Sequence, residues 1–167
     1  MARPTVLFIA ILAAGLALRL VLVLTHPGYL GVDGGAYIDN VHYVLGQATS
    51  AVAFPRPPLA PGWLLAPFTL LLGLDIGYKV WSALVSLAPV IPIYLLTRRH
   101  VGAWPAVFAT ALATLDLSWA EMMVTGALPL IGFALLGMAF WAMGRLMEHP
   151  APDRWAAGVL AVSIGLI

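Results

Sequence analysis

Apolar residues run along this chain in long stretches rather than at alternating positions, which favours helices over strands. The first, residues 5–24, reads TVLFIAILAAGLALRLVLVL and is interrupted by one charge, Arg19. About 20 such residues suffice to cross the hydrocarbon of a bilayer. Comparable stretches follow at 76–97, 103–119 and 125–147, and a last one runs over 155–167. A signal peptide has a shorter apolar core and a small-residue cleavage site. Here the full-length run is followed by THPGYL, so a retained span is expected. The final stretch is still apolar after only 13 residues, which predicts that residues 1–167 are the N-terminal part of a longer transmembrane domain.

Between the first two spans lies a segment, 25–75, too long for a simple connector. Over 34–47 its apolar positions Ile38, Val41 and Leu45 recur at helical spacing, while Tyr37, Asn40 and Gln47 align with Asp33 on a polar stripe. A second short helix is expected over 62–73, apolar but too short to span, hence interfacial or re-entrant. Between the two, FPRPPLAP has four prolines in eight residues. Their rings fix φ and present Arg56 from a stiff, extended backbone. The expected fold class is all-α, a polytopic transmembrane helix bundle with two short juxtamembrane helices in the first outer loop.

Composition agrees: 62% of the 167 residues are hydrophobic and 9% charged, with a mean hydropathy of +0.99. A net charge of +1 leaves no electrostatic footprint for nucleic acid. With no cysteine there is no disulfide, thiolate nucleophile or thiolate-bound metal. Arg3, the TRRH cluster (Arg98, Arg99, His100) and the pair Arg145 and Arg154 fall on one side if the chain crosses at every span, and the positive-inside rule makes that side cytoplasmic. The other side receives Asp33, Asp39, Asp75, Asp116 and Glu121, five of seven carboxylates.

Ordinary roles account for several of these residues. Asp33 before Gly34 is a ready N-cap. Arg19, five residues from the outer end of its span, would snorkel to the headgroups, and Lys79 would anchor its helix at the interface. The methionines suit packing, the four histidines show no ligand spacing, and the six tryptophans fall mostly near span ends, as in an aromatic belt.

What packing roles leave over is the convergence on one face of an acid on a polar helix stripe, a rigid Arg-Pro-Pro and a second acid cluster. A carboxylate can take the proton of a nucleophilic hydroxyl, and a guanidinium can hold a phosphate by paired charge-assisted bonds. That chemistry suits group transfer from a lipid phosphate.

The chain resembles the membrane-embedded glycosyltransferases of the C superfamily, which use polyprenyl-phosphate sugars, and within them the branch of the lipid A aminoarabinose transferase and the protein O-mannosyltransferases. The resemblance rests on a first span ending in Arg19-Leu20, on Asp33 with Tyr37 four residues on, on RPPLAPGW (Arg56, Pro57, Pro58, Leu59, Trp63), and on the second span closing in YLLTRR. It covers nearly the whole chain but only the front portion of such enzymes. It implies transfer of a sugar, with inversion, from a polyprenyl-phosphate donor to a hydroxyl of a lipid, glycan or protein acceptor. The resemblance makes Asp33 the candidate catalytic base or acceptor-orienting carboxylate and Arg56 the candidate donor-phosphate ligand. Tyr37, Asn40, Asp116 and Glu121 would line the cavity or position the acceptor. A divalent cation is compatible with this arrangement, with no ligand set assigned. Two positions depart from the family pattern: Gly34 stands where many relatives carry a second acid, and Gly126 follows Thr125 where they carry Asp or Glu. A second class stays open, a non-catalytic transporter or polyprenyl-lipid-binding scaffold whose outer charges only cap helices and meet headgroups. Internal repeats and charges buried at mid-membrane would mark a transporter, and neither is evident in the sequence.

Overall fold

A computed structural model describes residues 2–25, 34–47, 60–116, 127–148 and 153–166, and every regular element among them is an α-helix. In chain order these are α1 (Ala2–Thr25), α2 (Gly34–Val44), α3 (Ala60–Leu72), α4 (Leu74–Val85), α5 (Val90–His100), α6 (Ala103–Leu115), α7 (Ala127–Glu148) and α8 (Arg154–Leu166). Three stretches are long and apolar enough to cross a membrane: Arg3–Thr25, Leu74–His100 and Ile131–Glu148. Gly62–Leu72, Ala103–Leu115 and Arg154–Ile164 are apolar but shorter. Large apolar side chains such as Ile9, Leu71, Phe108 and Phe133 face outward from these helices. A surface of this kind suits lipid tails better than water.

The span expected over 76–97 lies within Leu74–His100, and its helix is interrupted after Val85 by a pair of prolines. Pro89 and Pro92 have no N–H, so the carbonyls of Val85 and Ala88 lose the partners that a continuous helix would give them. Each accepts instead from the residue one position earlier, Ala88 N–H to Val85 O at 3.0 Å and Ile91 N–H to Ala88 O at 3.3 Å. The chain turns through residues 86–89 and resumes as α5.

Two glycines set the corners. Gly73, at φ 78°, is the one residue between α3 and α4, and Gly102, at φ 124°, precedes α6. Both backbones lie where a side chain would be strained. The α3–α4 hairpin then closes tightly, because a Cβ on Gly77 would stand 2.7 Å from the Phe68 carbonyl oxygen. Val41, Leu65, Tyr78 and Trp81 form a buried cluster, with Leu45, Phe68, Val85 and Ile131 packed around it. The two short helices expected in the 25–75 segment are thus present as α2 and α3, with α2 packed on α3 and α3 on α4. Trp81, 2% exposed, belongs to this core rather than to an aromatic belt, whereas Trp63, Trp104 and Trp155 face outward.

A second cluster joins Ile11 of α1, Tyr94 of α5, and Ala106 and Val107 of α6, with Phe8 stacked on Tyr94 at 3.9 Å between ring centroids. Further along, Gly15 and Arg19 of α1 meet Thr114 of α6, so the two helices run parallel. Helices α5 and α7 are also parallel: Gly137 faces Pro92, and seven residues on along both, Gly144 faces Arg99. Arg99 bonds the Trp141 carbonyl at 3.2 Å and pairs with Glu148 at 2.6 Å. Arg145 pairs with Asp153 across the link to α8 at 2.9 Å. The bases Arg98, Arg99, His100 and Arg145 therefore share one end of the packed helices, together with the N-terminal part of α1.

Candidate functional site

The end opposite the bases is where the sequence places its chemistry. Ile131, which packs on the α2–α3–α4 cluster, precedes Gly144 by 13 positions on α7, about 20 Å of helix. The docked α2 and α3 belong to that far end. Val41 and Leu65 are fully buried in the cluster, so α2 is held by its apolar stripe, as its periodicity requires.

Asn40, expected on the polar stripe, is itself buried at 2% exposure. Its position lies against α3, where a Cβ on Gly62 would come 3.2 Å from the Asn40 carbonyl oxygen and 3.3 Å from the Asn40 Cβ. The α2 and α3 backbones approach closely there. At the other end of α2, His42 Nδ1 and Gln47 Oε1 lie 2.7 Å apart, which ties down the turn that ends the helix. Tyr37 lies within α2, but its side chain is outside the described residues. Asp33, Arg56 and Glu121 are also outside them. In sequence Asp33 immediately precedes α2, and Arg56 stands four positions before α3.

Asp116 is the acid of the candidate set that the structure describes in full. It is exposed and forms the C-cap of α6, with an extended backbone at φ −64° and ψ 119°. Its N–H donates to the Leu112 carbonyl at 3.3 Å. Among the described residues no three His, Asp or Glu side chains gather as metal ligands.

The residue whose expected role the structure overturns is Arg19. Rather than snorkelling to headgroups, its side chain is fully buried. Nη1 donates to the Gly15 carbonyl one turn back at 3.1 Å and to the Thr114 carbonyl of α6 at 2.7 Å. The reason is local. Thr114 O is among the last four carbonyls of α6, which have no partner within their own helix, and that helix end carries partial negative charge. A guanidinium held beside it meets an acceptor and a favourable dipole without leaving the packed helices. The signal was present in the sequence: an ionisable residue inside an apolar span marks, by default, a position built for a purpose. Lys79 Nζ pairs with Asp75 one turn away at 3.0 Å.

A groove of about 380 Å³ lined by Arg3, Val6, Leu7, Ala10 and Trp104 lies where the N-terminal part of α1 meets the start of α6, at the basic end. Its walls are apolar apart from Arg3, so it offers no acid–base chemistry. Of the six residues that the sequence singles out, the structure thus fixes Asn40 in the α2–α3 contact and Asp116 at the α6 terminus. It adds Arg19 to the same far end. No protein-family model, no curated protein and no solved structure matches this chain.

Proposed function

We propose that this chain is the front part of a polytopic membrane glycosyltransferase. It would move a sugar from a polyprenyl-phosphate donor to an acceptor hydroxyl, with inversion, on the extracytoplasmic face of the plasma (inner) membrane. In this reading the basic end and the N-terminus are cytoplasmic, as the distribution of arginines favours, and α2 and α3 lie at the outer surface. The observation that carries the reading is the packing of α2 on α3 and of α3 on α4 around the buried cluster of Val41, Leu65, Tyr78 and Trp81. A connector with no further role has no need of two ordered helices, and these two adjoin, in sequence, the acid and the arginine that the chemistry requires.

Asp33 then accepts the proton of the acceptor hydroxyl as it attacks the anomeric carbon from the face opposite the phosphate. The bond from that carbon to the phosphate oxygen breaks, and the polyprenyl phosphate leaves as an anion held by Arg56. A phosphate leaving group needs no general acid. Asp116 and Glu121, with Tyr37 and Asn40, would shape the acceptor side.

The test is sugar transfer by the full-length protein in liposomes, using radiolabelled polyprenyl-phosphate sugars. Asp33→Asn is expected to lower kcat on the order of 100-fold or more, the ordinary worth of a general base. Arg56→Ala is expected to raise KM for the donor. Wild-type rates in both variants at normal expression would overturn the site. A full-length protein that binds polyprenyl phosphate yet transfers nothing would favour a lipid-binding scaffold.

A further inference from the structure

We propose that Arg19 is a positioning residue of this site, a latch that fixes the last turn of α6 and so sets where Asp116 emerges. The inference rests on the transferase reading but draws on different atoms. Gly15 and Arg19 stand one turn apart on α1 and together receive Thr114. A Cβ on Gly15 would collide with the Thr114 Cγ2 methyl and lie 3.3 Å from Arg19 Nη1. The glycine is therefore the notch into which α6 fits, and the guanidinium is the bolt across it.

Arg19 grips the backbone of α6 at the Thr114 carbonyl, at 2.7 Å. An arginine that caps another helix's free carbonyl stops the final turn from fraying, and it does so with a charge-assisted bond inside a buried setting, where such bonds are strong. Two residues past that carbonyl, Asp116 leaves the helix with an extended backbone. The position of its carboxylate therefore depends on how firmly Thr114 is held. Arg19 itself is fully buried. It acts through the helix end.

The test pairs Arg19→Met, which keeps an unbranched apolar stem and loses the donors, with Arg19→Lys, which keeps the charge and one reachable donor. Both are made in the full-length protein. Hydrogen exchange over residues 112–116 reads the latch, and transfer kinetics read its consequence. Arg19→Met is expected to lose protection at 112–116 while α5 and α7 keep theirs. Its kcat/KM for the acceptor should fall on the order of 10-fold to 100-fold, the scale of a small misplacement, with donor KM unchanged and partial recovery in Arg19→Lys. Should Arg19→Met fail to fold, Arg19→Lys alone carries the test through the same acceptor-versus-donor split. Equal loss on the donor and acceptor sides, or wild-type protection at 112–116, would overturn the proposal. A wild-type protein that transfers no sugar while Arg19→Met still frees the α6 terminus would sink the transferase reading and reduce Arg19 to a packing device.

Discussion

Arg19 donates a 2.7 Å hydrogen bond to the backbone carbonyl of Thr114, 95 residues further along the chain. The contact ties the first helix to the end of the sixth and is possible only because Gly15, one turn earlier, leaves room for Thr114. Charge, cavity and helix terminus are matched at one point, and the match can be broken one part at a time.

The notch itself is the first such part. Glycine to alanine inside a helix ordinarily gains about 0.5–1 kcal/mol. Gly15→Ala is expected to do the reverse, because the new methyl runs into Thr114 Cγ2, and overpacking costs about 1–3 kcal/mol. Thr114→Ser in the same chain removes the opposing methyl and should recover most of the loss. Thermal unfolding in detergent, followed by circular dichroism, measures both. A Gly15→Ala variant as stable as wild type would contradict the packing described.

The α5–α7 contact allows a graded comparison. A Cβ on Gly137 would meet the rigid ring of Pro92 at 2.7 and 2.9 Å, whereas one on Gly144 would meet the Arg99 guanidinium at 2.5–2.8 Å. A proline ring cannot move aside, but an arginine can. Gly137→Ala is therefore expected to cost about 1–3 kcal/mol. Gly144→Ala should cost less than about 1 kcal/mol, because the Arg99–Glu148 pair it disturbs has a largely exposed carboxylate. Stability curves for the two variants in the opposite order would count against this contact.

A pH dependence is expected at the start of α8. The hydrogen bond from Arg145, helped by the Ala156 and Trp155 amides, holds the Asp153 carboxyl below its ordinary value of 3.8. A group whose value is lowered on folding contributes stability that is complete above the unfolded value and disappears as pH falls through the folded one. The first turn of α8 should therefore keep its protection down to about pH 4, given the ordinary aspartate value, and lose it below. Asp153→Asn, which cannot ionise, should remove that acid-side step. Amide exchange of Trp155 and Ala156 against pH reads the effect, and the same profile in both proteins would contradict it.

Most of the helices were legible in the sequence because apolar runs and proline or glycine boundaries act locally. The spans expected at 5–24 and 125–147 correspond to α1 and α7, and the amphipathic 34–47 stretch to α2, shortened at its end by the turn through Gly46. The span expected at 76–97 falls within Leu74–His100, and its interruption after Val85 follows from Pro89 and Pro92. Two side chains were not legible. Periodicity assigns Asn40 to a polar stripe without showing that α3 lies over it at Gly62. Distance to the span end assigns Arg19 to headgroups without showing that the free carbonyls of α6 are closer. Both depend on which helices become neighbours, which no single segment encodes.

The most direct measurement concerns the pair on which the chemistry depends, Asp33 and Arg56. The chain has no cysteine, so Asp33→Cys and Arg56→Cys in one full-length protein give two clean attachment points for spin labels in liposomes. The account predicts that both cysteines react with a membrane-impermeant thiol reagent from the outer face, and that the labels lie within about 20 Å of each other, well inside one bilayer thickness. Labels about 30 Å or more apart, or reactive from opposite faces of the membrane, would contradict it.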